Sequence, residues 1–194
     1  MMDFKDTRTA GNLAKAFAGE SQARNRYTYY AETARKEGLE HVANIFEETA
    51  GNERAHAEIF FNHLLDNMGE GMGFVEATYP VGKADTAANL MYAATGEREE
   101  WEVLYKNFAD IADEEGFKAI AVSFRQIAKV EMEHEKRYLE LHELVKNNKF
   151  FARDEEKEWK CINCGYVYVG KEPLNICPTC KYPKSFWEVN VCEH

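Results

Sequence analysis

The chain has 194 residues, of which 45 % are apolar, enough for one good core and a small appendage. Its formal charge is −10, with 34 acidic against 24 basic residues and no basic stripe, which argues against nucleic acid as a partner. No apolar run reaches the roughly 20 residues that cross a bilayer, and the charged start from Met1 to Thr9 lacks a signal-peptide apolar region, so no membrane partner and a cytoplasmic location are expected.

Four long helical stretches come first. The first runs roughly from Thr9 to Lys36, with Leu13, Phe17, Glu20, Arg24, Tyr27 and Ala31 at helical spacing, and the second from Leu39 to Asn67, with Phe46, Glu53, His56 and Phe60 in its stripe. The third covers Ala84 to Glu115. The fourth covers Phe117 to Asn147, where Ile120, Phe124, Ile127, Glu131, His134, Tyr138 and Leu141 step by three and four without a break, as on a core-facing helix. Gly38 and Gly116 each follow a charged run and predict left-handed helix caps, hence two antiparallel hairpins. The link between the hairpins, Met68 to Lys83, is long and Gly-rich. After Asn147 a charged connector leads to a Pro-containing segment, Trp159 to His194, too short to build a core unaided.

Glu-x-x-His occurs twice, each time behind another Glu. Glu53 and His56 follow Glu20, and Glu131 and His134 follow Glu97, at separations of 33 and 34 positions from Glu to Glu. On a helix, i and i+3 share a face, so each motif points an oxygen and a nitrogen at one spot. Carboxylates turned into an apolar bundle are very costly unless something compensates them, and two metal ions would do so. One Glu from each of two helices and Glu-x-x-His from each of the other two is the ligand pattern of ferritin-like di-metal bundles, and one long crossover is their connectivity. Carboxylate-rich ligation with one His per metal suits iron or manganese. Glu100, one turn after Glu97, is a further candidate with no counterpart in the first half.

The halves repeat with one discrepancy. Gly38 to Glu53 and Gly116 to Glu131 are both 15 positions, but Glu20 to Gly38 is 18 and Glu97 to Gly116 is 19. The extra residue predicts a π-bulge between Glu97 and Tyr105, since single insertions of this kind cluster at functional sites. It accounts for Tyr27 following Glu20 by seven while Tyr105 follows Glu97 by eight. Both tyrosines are expected to face inward, either as packing or as hydrogen-bond donors to the carboxylates. His41, His63 and His142 lack matched partners and read as structural or surface residues.

All five cysteines fall after residue 160. Cys161-x-x-Cys164 and Cys177-x-x-Cys180, with 12 residues between them, form two metal knuckles for a tetrahedral tetrathiolate site. Spacing alone makes zinc the default and iron the redox-active alternative. Trp159, Tyr166, Tyr168, Tyr182, Phe186 and Trp187 would pack around either metal. Cys192 reads as a spare thiol.

With Glu20, Glu53-x-x-His56, Glu97-x-x-Glu100, Glu131-x-x-His134, C-x-x-C-G-Y and C-P-x-C in place, the chain resembles the rubrerythrin family over nearly its whole length. The fold so implied is all-α, a ferritin-like four-helix bundle over residues 1–147 with one long crossover, then a linker over 148–158 and a rubredoxin-like domain over 159–194. The resemblance implies three irons per chain, two in the bundle and one held by Cys161, Cys164, Cys177 and Cys180. It implies that Glu53 and Glu131 bridge, that Glu20, Glu97 and His134 are terminal ligands, and that one iron moves between His56 and Glu100 with oxidation state. It assigns Tyr27 and Tyr105 to hydrogen bonds with the ligand glutamates. The implied activity is reduction of hydrogen peroxide to water, with electrons arriving through the cysteine-held iron from a soluble donor, rubredoxin or its reductase, fed by NADH. A head-to-tail homodimer is also implied. The alternative is a ferroxidase or iron-handling role with oxygen as oxidant.

Overall fold

The computed structural model describes residues 3–191; Cys192 lies outside them. The bundle is formed by α1 (Arg8–Lys36), α2 (Glu40–Met68), α3 (Thr86–Glu99), a π-helical turn (Glu100–Leu104), α4 (Tyr105–Glu114) and α5 (Lys118–Lys146). The four stretches expected from periodicity agree with these bounds to within two residues at each end, and the π turn lies where the repeat predicts an extra residue. Among the described residues, no helix is long and apolar enough to cross a membrane.

Local chemistry sets the helix ends. The Thr7 hydroxyl accepts from the Ala10 amide at 3.1 Å and the Asp85 carboxylate from the Ala88 amide at 2.8 Å, each satisfying an amide that the first turn leaves free. Gly38 and Gly116 adopt φ of 75° and 90°. In both, the next residue reaches back across the cap, Leu39 N–H to Ala34 O at 2.9 Å and Phe117 N–H to Ala112 O at 2.7 Å. This six-to-one bond with a left-handed Gly is the Schellman arrangement, and it reverses the chain in two tight turns. α1 packs on α2 and the α3–α4 stretch on α5, giving two hairpins. The connecting segment, 69–85, lies across α1, held by Tyr79 Oη donating to Lys15 O at 3.0 Å and Tyr30 Oη to Gly82 O at 2.7 Å.

The core falls into two apolar clusters with polar side chains between them. The helical repeat arranges this. Two turns on either side of each buried glutamate sits a large side chain: Leu13 and Tyr27 around Glu20, Phe46 and Phe60 around Glu53, Phe124 and Tyr138 around Glu131, Leu90 and Tyr105 around Glu97. None of these eight flanking residues is more than 1 % exposed. The first three pairs lie seven residues to each side, which keeps them on the glutamate's face. Tyr105 lies eight after Glu97, and eight α-helical steps would swing it about 80° off that face. The wider π turn absorbs the extra residue and returns Tyr105 to the core. Replacing Phe46, which packs against Tyr27, Tyr30 and Tyr138, with Ala is expected to cost about 3–5 kcal/mol in denaturant unfolding.

The C-terminal part is a three-stranded antiparallel sheet ordered β2-β1-β3, from β1 (Lys157–Cys161), β2 (Val167–Gly170) and β3 (Trp187–Val189). Its small core holds Trp159, Trp187, Cys161 and Cys177. The module rests on the α1–α2 turn. His41 Nδ1 lies 2.8 Å from Glu188 Oε2, and Phe151 packs both on the bundle core and on the module core.

Candidate metal centres

Four helices bring Glu20, Glu53, His56, Glu97, Glu131 and His134 to one level of the bundle. All six are buried, and the four glutamates are wholly inaccessible. They form two donor groups, Glu20/Glu53/His56/Glu131 and Glu53/Glu97/Glu131/His134, each within 4.8 Å. Glu53 and Glu131 belong to both. Glu53 presents Oε2 to His56 Nδ1 at 3.2 Å and Oε1 to His134 Nδ1 at 3.3 Å. Glu131 presents Oε1 to His56 Nδ1 at 2.9 Å and Oε2 to His134 Nδ1 at 2.8 Å. Each of these carboxylates therefore faces both histidines with different oxygens. Glu20 and Glu97 each face one group, with oxygens 3.9 Å from His56 Nδ1 and 3.8 Å from His134 Nδ1.

Both tyrosines meet carboxylates, and the pairing crosses between the halves. Tyr27 Oη donates to Glu97 Oε1 at 2.5 Å, and Tyr105 Oη donates to Glu20 Oε1. Each bond fixes one oxygen of a glutamate and leaves the other aimed at the centre.

Electrostatics show what the site lacks. Burial, reinforced by repulsion from Glu53 and Glu131, pushes the Glu20 carboxyl well above its ordinary value. Burial and repulsion from Glu53 push Glu97 up to about 8. For Glu53 burial acts upward too, but the His134 and His56 imidazoles beside it outweigh it and hold the carboxyl down at about 2. The histidines respond in kind. Burial would lower them, yet their glutamate partners raise His56 to about 9 and His134 to about 12. The glutamates thus call for positive charge. Glu20 Oε2, Glu53 Oε1, Glu97 Oε2, both Glu131 oxygens and His134 Nδ1 remain buried without a hydrogen-bond partner. Buried polar atoms are very rarely left so. Six converging, unsatisfied donor atoms of O and N type fit a pair of iron ions.

Glu100 is outside both groups. It is half-buried at the rim, one residue into the π turn, and lines a cavity of about 260 Å³ together with Gly19, Gln22, Arg26, Tyr79 and Tyr105. Gly19 borders Glu100 and the Tyr79 ring, and a Cβ on it would meet Glu100 Oε1 at 3.8 Å and the ring at 3.7 Å, ordinary contact distances. The other histidines keep to structural contacts, His63 with Ser123 Oγ and His142 with Ala87 O, both at 2.8 Å.

The cysteines form a second centre. Cys161 and Cys180 sulfurs are 3.6 Å apart, as are those of Cys164 and Cys177, and all four lie within 4.8 Å. Metal–sulfur bonds of about 2.3 Å in a tetrahedron put sulfurs about 3.8 Å apart, so the four thiols are spaced for one ion. The two knuckles have the same backbone wiring. Cys161 N–H donates to Tyr166 O and Cys177 N–H to Tyr182 O, both at 2.8 Å. A left-handed residue completes each turn, Gly165 in the first and Lys181 in the second.

The family model described as rubrerythrin matches residues 11–142, and again 88–162, and the model for the rubrerythrin rubredoxin-like domain matches 159–188. The chain belongs to the rubrerythrin family. It is 52 % identical to rubrerythrin-1 of Clostridium acetobutylicum and 43 % identical to the rubrerythrin of Nitratidesulfovibrio vulgaris, each over 97 % of both chains. A solved structure of fully reduced, all-ferrous nigerythrin superposes with a TM-score of 0.65 at 30 % identity, covering 95 % of this chain and 90 % of that one. In a rubrerythrin the tetrathiolate belongs to a rubredoxin-like domain, so iron takes precedence over the zinc that spacing alone suggests. The donor sets fit three irons, two in the bundle and one on the cysteines.

Sequence reading missed Gln22, Arg26, Tyr79 and Glu135 near the site. Tyr79 sits in the crossover, where no periodicity reports which side chain turns inward. Glu135 had a visible signal, because it stands four residues after Glu131 on the same inward stripe.

Proposed function

We propose that the protein is a hydrogen peroxide reductase whose bundle residues Glu20, Glu53, His56, Glu97, Glu131 and His134 hold the di-iron centre, with Glu100 as an alternative donor to His56. The observation that carries the reading is two buried carboxylate–histidine donor groups that share Glu53 and Glu131, on the same chain as a four-cysteine group. When bound and reduced, the iron pair supplies Lewis acidity and two electrons, one from each ion, for H₂O₂ + 2H⁺ + 2e⁻ → 2H₂O.

The chain's own residues do the rest. Glu53 and Glu131 hold two positions at a fixed separation by facing both histidines. Tyr27 and Tyr105 keep Glu97 and Glu20 oriented through their hydroxyl bonds. The two apolar clusters exclude water from above and below. The cavity beside Glu100 and Tyr105 gives a small, neutral oxidant a way in from the crossover side. The cysteine centre returns electrons, and NADH is their ultimate source through a soluble reductase or rubredoxin. A second copy of the chain, paired head to tail, places one subunit's cysteine centre near the other's bundle. Phe74 and Met72 on the crossover, exposed by 81 % and 95 %, support burial of this side in such a dimer. A storage or ferroxidase role needs no dedicated electron inlet and is the weaker reading.

Anaerobic reduction of the iron-loaded protein, followed by stopped-flow mixing with one equivalent of peroxide or with oxygenated buffer, tests the proposal. Peroxide is expected to oxidise the bundle irons at least about tenfold faster than oxygen, a barrier difference of about 1.4 kcal/mol. Faster oxidation by oxygen would move the assignment to a ferroxidase.

A further inference from the structure

The π turn is held from behind by a carboxylate that the metal site does not use. Glu135 follows His134 on α5 and is 5 % exposed. Its Oε2 accepts from the Trp101 indole N–H at 2.6 Å, and its Oε1 accepts from Arg98 Nε at 2.6 Å and lies 2.5 Å from Arg98 Nη2. Trp101 is inside the π turn and Arg98 is on the α3 residue that follows Glu97. Both oxygens are thus committed to the segment that carries Glu97 and Glu100, and Glu135 belongs to neither donor group.

The other half of the repeat is an internal control. Aligned on the glutamate–glycine repeat, Glu100 corresponds to Ala23 and Glu135 to Ala57, both buried alanines. α1 runs as α-helix from Arg8 to Lys36 without a π turn. The inserted residue, the extra rim carboxylate and the carboxylate behind it therefore occur together in one half and are together missing from the other. A π turn sacrifices regular hydrogen bonding and persists where its surroundings hold it. Charge-assisted bonds at 2.6 Å from a buried carboxylate are strong enough to hold it.

We infer that Glu135 is a positioning residue for Glu100: by pinning Trp101 and Arg98 to α5 it sets where the π turn rests, and so where the Glu100 carboxylate stands relative to the two donor groups. This rests on the reading of those groups as the iron site.

The test uses full-length, iron-loaded Glu135→Gln, Glu135→Leu and Trp101→Phe. Amide hydrogen exchange over residues 99–105 is expected to quicken about tenfold or more in Glu135→Leu and less in Glu135→Gln, which keeps one acceptor. The equivalent amides of α1, residues 22–27, stay at the wild-type rate. The Mössbauer spectrum, which separates bundle irons from the tetrathiolate iron, is expected to change at one bundle iron in the same order, Leu beyond Gln. Wild-type exchange over 99–105 in both Glu135→Leu and Trp101→Phe overturns the inference. So does faster exchange with unaltered bundle iron spectra, because the turn would then not be coupled to Glu100. If Glu135→Leu fails to fold, Trp101→Phe decides, since it removes the N–H while keeping an aromatic ring in the turn. Wild-type protein whose bundle takes up no iron would instead sink the metal reading itself.

Discussion

Glu53→Ala is expected to empty the bundle of iron, leaving about one iron per chain, on the cysteines, of the three that the donor groups provide for. Glu53 turns one oxygen to each donor group, so on the proposed di-iron reading the truncation removes a ligand from both positions at once. It also removes one of the two carboxylates that face each imidazole. Losing only a hydrogen-bond partner of a ligand costs about 10–100-fold in metal affinity. Losing a shared ligand is expected to exceed about 100-fold. Glu131→Ala should match it, because Glu131 faces both histidines in the same way. Tyr27→Phe should fall at the lower end, since Glu97 keeps its place and loses one donor. Metal analysis after gel filtration checks all three. Two bundle irons retained in Glu53→Ala would mean that the carboxylate does not bridge.

The second large effect concerns the cysteine module. Cys161→Ala is expected to abolish the tetrathiolate absorption and to render residues 157–189 sensitive to protease while the bundle survives. The module's buried core is little more than Trp159, Trp187, Cys161 and Cys177. Segments this small depend on metal or disulfides for their folding. A structural tetrathiolate site supplies on the order of 10 kcal/mol or more, so losing one ligand removes most of what orders the module. NADH-driven peroxide turnover should then fall by more than about 100-fold. Chemically reduced bundle should still be oxidised by peroxide in a single turnover, because that step needs no inlet. Steady-state turnover at the wild-type rate would show that electrons bypass the cysteines.

Much of this was legible in residue order. Stripes at steps of three and four specify four helices, and Gly38 and Gly116 mark the two turns because a left-handed cap is cheap only without a Cβ. The buried donor cluster was legible because each Glu-x-x-His sits inside an apolar stripe, where an ionised group needs compensation. The π turn was legible as arithmetic, one residue too many between Glu97 and Gly116. What order alone left open was which tyrosine serves which glutamate. Sequence proximity suggests Tyr27 with Glu20, whereas antiparallel packing puts it against Glu97. The crossover's contribution was equally hidden, since Tyr79 reaches the cavity through loop geometry that has no period.

The amino-acid order by itself determined the kind of donors, their number and their level along each helix, because helical pitch converts spacing directly into position. Only the tertiary structure decided that Glu53 and Glu131 face both histidines, that Glu100 stands off at the rim, and that Glu135 accepts from Trp101 in the π turn. Glu135 and Trp101 are 34 positions apart and Glu53 and His134 are 81 apart, so packing between helices, not pitch within one, sets these relations.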